Sequence, residues 1–180
     1  MNSIEKSSYV KDEITKSLLK MMETEKLEKI SIRDLCNQAG VGRASFYRNF
    51  ESKEDVIHEY SLRLIRKWSN EFESDKNANP FEVFESLFQH FQKYKSFYEL
   101  LYKSNMLDII LDTIKEKVGF TATLPNQDAY SKAFFSYGLY GWISEWIHRG
   151  MQESPYTLNQ MIKQSTQIIA NVMNELFSLE

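Results

Sequence analysis

Between positions 43 and 49 the chain carries polar and small side chains that could contact the edges of nucleic-acid bases. These candidate base-reading residues are Arg43, Ala44, Ser45, Arg48 and Asn49. Arginine can donate paired hydrogen bonds to guanine, asparagine can pair with adenine, and small side chains can contact a thymine methyl. In a helix, Phe46 and Phe50 would fall together on another side and pack inward. The segment then has the chemistry to read a major groove; an amphipathic helix with a merely hydrated outer face is the alternative.

A second short helix must hold this segment in place. Apolar residues recur at helical spacing over 32–39, which predicts a helix. Ser31 is a good N-cap, with Asp34 three residues later as in a capping box. Gly40 can adopt the left-handed conformation that ends a helix, and Gly42 is a tolerable N-cap for the next one. Two short helices joined by a glycine-containing turn form a helix-turn-helix.

Residues 10–57 resemble the DNA-binding domain of the TetR family of bacterial transcriptional regulators. The matching segments are SIRDLC at 31–36, AGV at 39–41, FYRNF at 46–50 and SKED at 52–55. The chain departs from the family pattern at Lys26, where a glycine often ends the first helix, and at Cys36, which replaces a small alanine. It also has Gly42 where serine is common, which leaves only a backbone amide as donor at that position.

Helical phase and this resemblance together imply a division of labour on DNA. The five candidate base-reading residues are expected at base edges. The residues expected to hold phosphates are Ser31, Arg33, Gly42, Tyr47 and Lys53. The resemblance further implies a homodimer on a palindromic operator, most often a repressor that a small-molecule effector releases.

The predicted fold is all-α, with an N-terminal three-helix domain over residues 1–55 and a helical C-terminal domain over 56–180. The first helix is expected over 9–24 after a polar arm at 1–8, and a fourth helix over about 53–72 connects the two domains. The segment 74–80, SDKNANP, is the clearest break. Further helices are expected over 106–117, 127–152 and 157–179, with a loop at 119–126.

Eight aromatic residues lie between positions 81 and 102, mostly three or four residues apart. By the resemblance, the C-terminal domain would hold an effector pocket, with an apolar or aromatic compound slightly favoured. The candidate lining residues are Phe84, Phe88, Phe91, Tyr98, Phe134, Tyr137 and Trp142. The alternative is that these rings simply form the core.

The segment 129–151 is apolar on nearly all sides, and such a helix must be buried on all sides. A glycine inside a helix costs about 1 kcal/mol relative to alanine, and close approach of a partner helix would explain that cost. The resemblance implies that the last two long helices form a four-helix bundle with their symmetry mates. The candidate dimer residues are Gly138, Gly141, Ile162, Ile169 and Met173.

Composition sets limits on the class of protein. Hydrophobic residues make up 42% of 180 positions, which is enough for a core and disfavours wholesale disorder. The net charge is −3, yet the excess of acidic residues lies beyond position 70, and phosphate contact needs only a local basic surface. The single Cys36 predicts a buried thiol in a reducing compartment. No signal peptide or membrane span is evident, so a cytoplasmic protein without membrane partners is expected.

Nothing in the sequence favours catalysis. His58, His90 and His148 are widely spaced and lack metal-ligand partners at the usual intervals. Phosphate-binding loops, nucleophile elbows and zinc-protease motifs are absent from the sequence. We therefore expect no catalytic residue, no metal and no cofactor. A helical ligand-binding or protein-interaction module that does not bind DNA is the main alternative, and an enzyme is the weaker one.

Overall fold

The computed structural model describes residues 3–75, 79 and 82–165, and within these residues all regular structure is helical. The N-terminal part consists of α1 (Ser3–Met22), a short 3₁₀ helix (Leu27–Lys29), α2 (Ile32–Gln38) and α3 (Arg43–Asn49). The long α4 (Lys53–Ser74) follows. The C-terminal part contains α5 (Val83–Lys93), α6 (Lys95–Lys103), α7 (Asp108–Lys117), α8 (Asn126–His148) and α9, described over 155–165. The all-α prediction is confirmed.

The two short helices begin and end where local sequence signals place them. The Ser31 hydroxyl accepts a hydrogen bond from the Asp34 amide at 3.1 Å and caps α2. Gly40 has a φ of +64°, the left-handed conformation that suits glycine at a helix end. Ser52 caps α4 by accepting from the Asp55 amide at 3.0 Å. The helix-turn-helix is therefore encoded by short-range chemistry.

Two helix boundaries differ from the sequence prediction by more than two residues. The polar arm expected over 1–8 is wrong from Ser3 onward, because α1 begins there; once a helix is nucleated, extending it by polar residues is easy. The aromatic segment, for which the sequence pattern predicts no helix bounds, forms two helices because the backbone leaves helical geometry at Tyr94. Helix α8 ends at His148, and Gly150 with a φ of +78° turns the chain before residue 152.

The first three helices share one core with the start of α4. Leu18, Leu35 and Phe46 are completely buried, and Phe50 and Ile57 are nearly so. Aromatic rings at helical spacing on α3 therefore serve as anchors, which fixes the opposite face of α3 outward.

Helix α4 joins this core to the C-terminal helices. On one side, Arg63 forms an ion pair with Asp12 of α1. On the other side, the buried hydroxyls of Ser61 and Thr113 of α7 lie 3.0 Å apart, and Arg66 pairs with Glu116 at 2.8 Å. A movement of α4 would therefore shift its contacts both with α1 and with α7. In the part of the chain that the structure describes, no helix is long and apolar enough to cross a bilayer.

Candidate nucleic-acid interface

Helix α3 presents a polar face to solvent. Phe46 is fully buried beneath it, whereas Arg43, Ala44 and Arg48 are exposed. Ser45 is partly exposed, and so most of the predicted base-reading residues lie on one accessible surface. A seven-residue helix held by buried rings and exposed on its polar side has the form of an element that enters a groove.

The guanidinium groups on this side of the molecule have no anionic partner. Within the described part of the chain, the side chains of Arg33, Arg43 and Arg48 make no hydrogen bond or ion pair. By contrast, Lys11 on the neighbouring α1 is paired with Glu59 at 3.0 Å. Helix α3 also carries no acidic residue in its first turn. The charges of these three exposed arginines are therefore available to phosphates and guanine edges.

Asn49 is only half exposed, because its side chain is held within the chain. Its Nδ2 donates to the Ser45 carbonyl at 2.7 Å, and its Oδ1 accepts from the Ser7 hydroxyl at 2.6 Å. The amide retains one N–H and one lone pair for other partners. Sequence reasoning missed Ser7, since no local pattern links residues 42 positions apart.

Two residues expected at phosphates have internal partners. The exposed Ser31 hydroxyl, besides capping α2, donates to the Asp34 carboxylate at 2.6 Å. The Lys53 ammonium donates to the carbonyls of Leu27 and Ile30. Tyr47 is half exposed beside the arginines, and Gly42 lies at the N-cap of α3 without a side-chain cap.

The aromatic residues predicted to line one pocket do not all come together. Phe88, Phe91 and Tyr98 are buried in the core. Phe134 and Tyr137 instead lie on the outer surface of α8, with Phe134 80% exposed. Phe84 and Trp142 are partly buried against the core. Helical spacing alone could not separate the two sets, because it does not say which side of a helix has a neighbour.

Two clefts border these helices. One of about 940 Å³ lies between the connection after α1 and α6, and Tyr60, Tyr94 and Phe97 contribute to its lining. The other, of about 570 Å³, runs along α8, where Tyr137 and Trp142 line it. Both volumes are in the range of small-molecule sites.

A polar pair sits inside the aromatic core. His90 Nε2 lies 3.0 Å from the Tyr98 hydroxyl. Burial, together with the neighbouring Lys93, lowers the pKa of His90 to about 4, and burial raises the pKa of Tyr98 far above its usual value. Both groups are neutral near pH 7, and neither lies in a metal-ligating cluster, of which the described residues hold none.

The candidate dimer residues divide between the surface and the undescribed part of the chain. Gly138 and Gly141 are exposed, and a Cβ added to either would meet nothing within 4 Å. Ile162 is partly buried against the core. Ile169 and Met173 lie outside the described residues. The helical glycines of α8 are therefore unexplained by packing among the residues that the structure describes.

Known proteins give an independent comparison. Residues 14–60 match the family described as "Bacterial regulatory proteins, tetR family", and residues 78–168 match the family described as "Transcriptional regulator C-terminal region". No curated protein matches the chain significantly.

Solved structures share the fold. The crystal structure of Lin0861 from Listeria innocua is 19% identical, with a TM-score of 0.77 over 94% of this chain and 95% of that one. A protein of Rhodococcus sp. RHA1, provisionally classed as a transcriptional regulator, is 18% identical, with a TM-score of 0.51 over 88% of this chain and 96% of that one. One of Pseudomonas aeruginosa PAO1, classed likewise, is 13% identical, with a TM-score of 0.51 over 98% and 96%.

Proposed function

This chain belongs to the TetR family of bacterial regulatory proteins, and from that membership we propose that it is a homodimeric repressor which a small molecule releases from a palindromic operator. It is a DNA-binding transcriptional regulator and not an enzyme. The proposal adds the dimer, the repression and the effector. A repressor acts at the chromosome, and the proposal therefore places the protein in the cytoplasm.

The exposed face of α3 is the observation that carries the proposal. Its arginines have no partner in the described chain, and its phenylalanines hold the helix in the N-terminal core. A basic surface without internal partners favours a polyanion. On this basis the base edges are contacted by Arg43, Ala44, Ser45, Arg48 and the remaining donor of Asn49, and phosphates by Arg33, Tyr47 and the Gly42 amide.

Helix α8 supports the homodimer. Its outer face exposes Tyr130, Phe134 and Tyr137 beside the two open glycines. A contiguous apolar patch of this kind marks an association surface, and a two-fold axis would let the same face cover itself. A two-fold protein places two α3 helices on related half-sites, which requires a palindromic operator.

The two clefts beside α6 and α8 support an effector. The larger one is bordered both by the connection that precedes α2 and by C-terminal residues such as Phe97. A molecule bound there, or among the aromatics along α8, would change how α4 is held between the domains. Release follows if the two α3 helices then no longer match both half-sites.

A mobility-shift titration tests the proposal. DNA upstream of the coding gene should be retarded at protein concentrations that leave a scrambled duplex of equal length free. A helical module without DNA binding would retard neither duplex. For the effector, calorimetric titration of a candidate compound with and without operator should give unequal affinities, because coupling between two ligands is reciprocal.

A further inference from the structure

Lys53 is the first residue of α4, but its side chain turns back toward the connection between α1 and α2. Its Nζ lies 2.5 Å from the carbonyl oxygen of Leu27 and 2.6 Å from that of Ile30. Because the donor is a cation, both contacts are charge-assisted hydrogen bonds, which are stronger than those between neutral groups. Two of the three N–H donors of the ammonium are thus used inside the chain.

The two carbonyls are suited to a cation. Leu27 begins the 3₁₀ helix and Ile30 is its C-cap, so the two carbonyls come from the first residue and the cap of one short turn. A carbonyl oxygen carries partial negative charge, and lysine side chains can hydrogen-bond carbonyls near a helix end. The Leu27 carbonyl also accepts from the Ile30 amide at 3.1 Å, and therefore the ammonium and the turn hold each other in place.

These contacts join the two ends of the helix-turn-helix. Ile30 immediately precedes Ser31, the N-cap of α2, and it is buried. Phe50, the C-cap of α3, is buried three residues before Lys53. All of α2 and α3 lies between the two anchored points. Because these contacts connect the segment before α2 with the first residue of α4, they restrict how far α3 can tilt relative to α1 and α4.

We propose that Lys53 is a positioning residue for DNA reading, whose ammonium closes the helix-turn-helix and fixes the angle of α3. The inference rests on the sequence-specific DNA binding proposed above and reassigns Lys53 from phosphate contact to internal link. A tilted α3 keeps its positive charges and still binds any duplex. It loses the simultaneous alignment of several side chains with base edges, which specific binding requires.

The two roles predict different salt and sequence dependence. A phosphate contact adds to binding of every sequence, and its loss makes the slope of log affinity against log salt shallower by about one unit. A positioning residue contributes to the preferred site alone, and its loss leaves the slope unchanged. Lys53→Met removes all three donors while keeping an unbranched side chain. Lys53→Arg keeps the positive charge and a side chain long enough to donate to both carbonyls.

The experiment measures affinity for the preferred duplex and for a scrambled duplex over a salt series. Lys53→Met should weaken the preferred duplex by about tenfold or more, the scale of one good base contact, with scrambled-duplex affinity and salt slope unchanged. Lys53→Arg should recover most of the loss. Lys67→Met, which removes the same charge at an exposed position on α4, is the matched control and should behave like the wild type.

Affinities are corrected for the fraction of folded protein. If Lys53 only stabilises the fold, the corrected Lys53→Met protein will prefer the specific duplex as strongly as the wild type does, and the inference is overturned. Equal weakening of both duplexes with a shallower salt slope also overturns it.

Nitrogen-15 relaxation of the wild-type Lys53 ammonium supplies a readout that needs no variant to fold. The ammonium should be restricted before DNA is added; free rotation without DNA and restriction only with DNA would contradict the link. If the wild type prefers no DNA sequence, the proposed function is wrong. The relaxation measurement would still show whether the Lys53 ammonium is held by the two carbonyls.

Discussion

Helices α3 and α8 both present side chains to solvent that no described residue covers, but their chemistry differs. On α3 the uncovered groups are the guanidiniums of Arg43 and Arg48. On α8 they are the rings of Tyr130 and Phe134. Exposed cations are well hydrated and need no partner for stability, whereas an exposed apolar patch gains free energy when it is covered. This difference underlies the proposal that α3 binds DNA reversibly, whereas α8 binds a second copy of the chain durably.

The largest effect should come from Gly141→Leu on α8. A Cβ at this position meets nothing within the described chain, and leucine has the higher helix propensity, so the folded monomer should be no less stable. In a two-fold dimer the added side chain would overpack two symmetric contacts, weakening association by about 2–6 kcal/mol. Sedimentation equilibrium should show monomers at micromolar concentration, and operator affinity should fall with the dimer.

Gln89→Leu, at an exposed position on α5, adds the same side chain elsewhere and should leave the dimer intact. If Gly141→Leu sediments like the wild type, the outer face of α8 is not the dimer interface and the comparison with α3 fails on that side.

The rings of the C-terminal domain divide into an exposed set on α8 and a buried set around His90. The buried set should make the stability of the protein depend on pH. In the folded chain the pKa of His90 is lowered to about 4 from an ordinary 6.5. The unfolded chain therefore binds the proton first. The contribution of His90 to the free energy of unfolding is fully present above pH 6.5 and is lost as the pH falls through 4. The total loss from this group is about 3 kcal/mol.

Urea unfolding at pH 7 and pH 5 measures this dependence. His90→Gln should show a shallower fall in the free energy of unfolding between the two pH values. The control, His148→Gln, removes an exposed histidine on α8 and should keep the wild-type dependence. Equal pH dependence in all three proteins would mean that His90 is solvated and that the buried set is not a closed core.

The exposed arginines of α2 and α3 should differ in their roles on DNA. Arg48→Ala should weaken the preferred site by about 1–3 kcal/mol and spare scrambled DNA. Arg33→Ala, on α2, should weaken all sequences alike and make the salt slope shallower by about one unit. Fluorescence anisotropy over a salt series measures both. Identical behaviour of the two variants would remove the distinction between base-reading and phosphate-holding residues.

The helix-turn-helix was predictable because its signals are local. Ser31 and Gly40 act on their own turns, and Phe46 lies inward by helical phase alone. The contacts that hold the site are not local: Ser7 reaches Asn49 across 42 residues, and Lys53 reaches Leu27 across 26. No periodicity encodes such pairs, and so Asn49 and Lys53 were both expected to face DNA.

The aromatic region shows a second limit of sequence reasoning. Phe88 and Phe134 occur in similarly apolar segments, yet one is fully buried and the other is 80% exposed. Which ring is covered depends on which helices pack against each other, and that is decided by the whole fold. The spacing of the aromatic residues was therefore enough to suggest helices, but it could not separate core rings from surface rings.

Selection of preferred sites from a pool of random duplex DNA tests most directly whether two α3 helices of a homodimer read one operator. The pool should converge on an inverted repeat whose half-site centres lie about one helical turn apart, roughly 34–36 Å, or a multiple of that. Arg48→Ala, selected in parallel, should lose discrimination at the same position of both half-sites. A pool that stays random, or that converges on a single unrepeated half-site, would contradict a homodimeric operator-binding regulator.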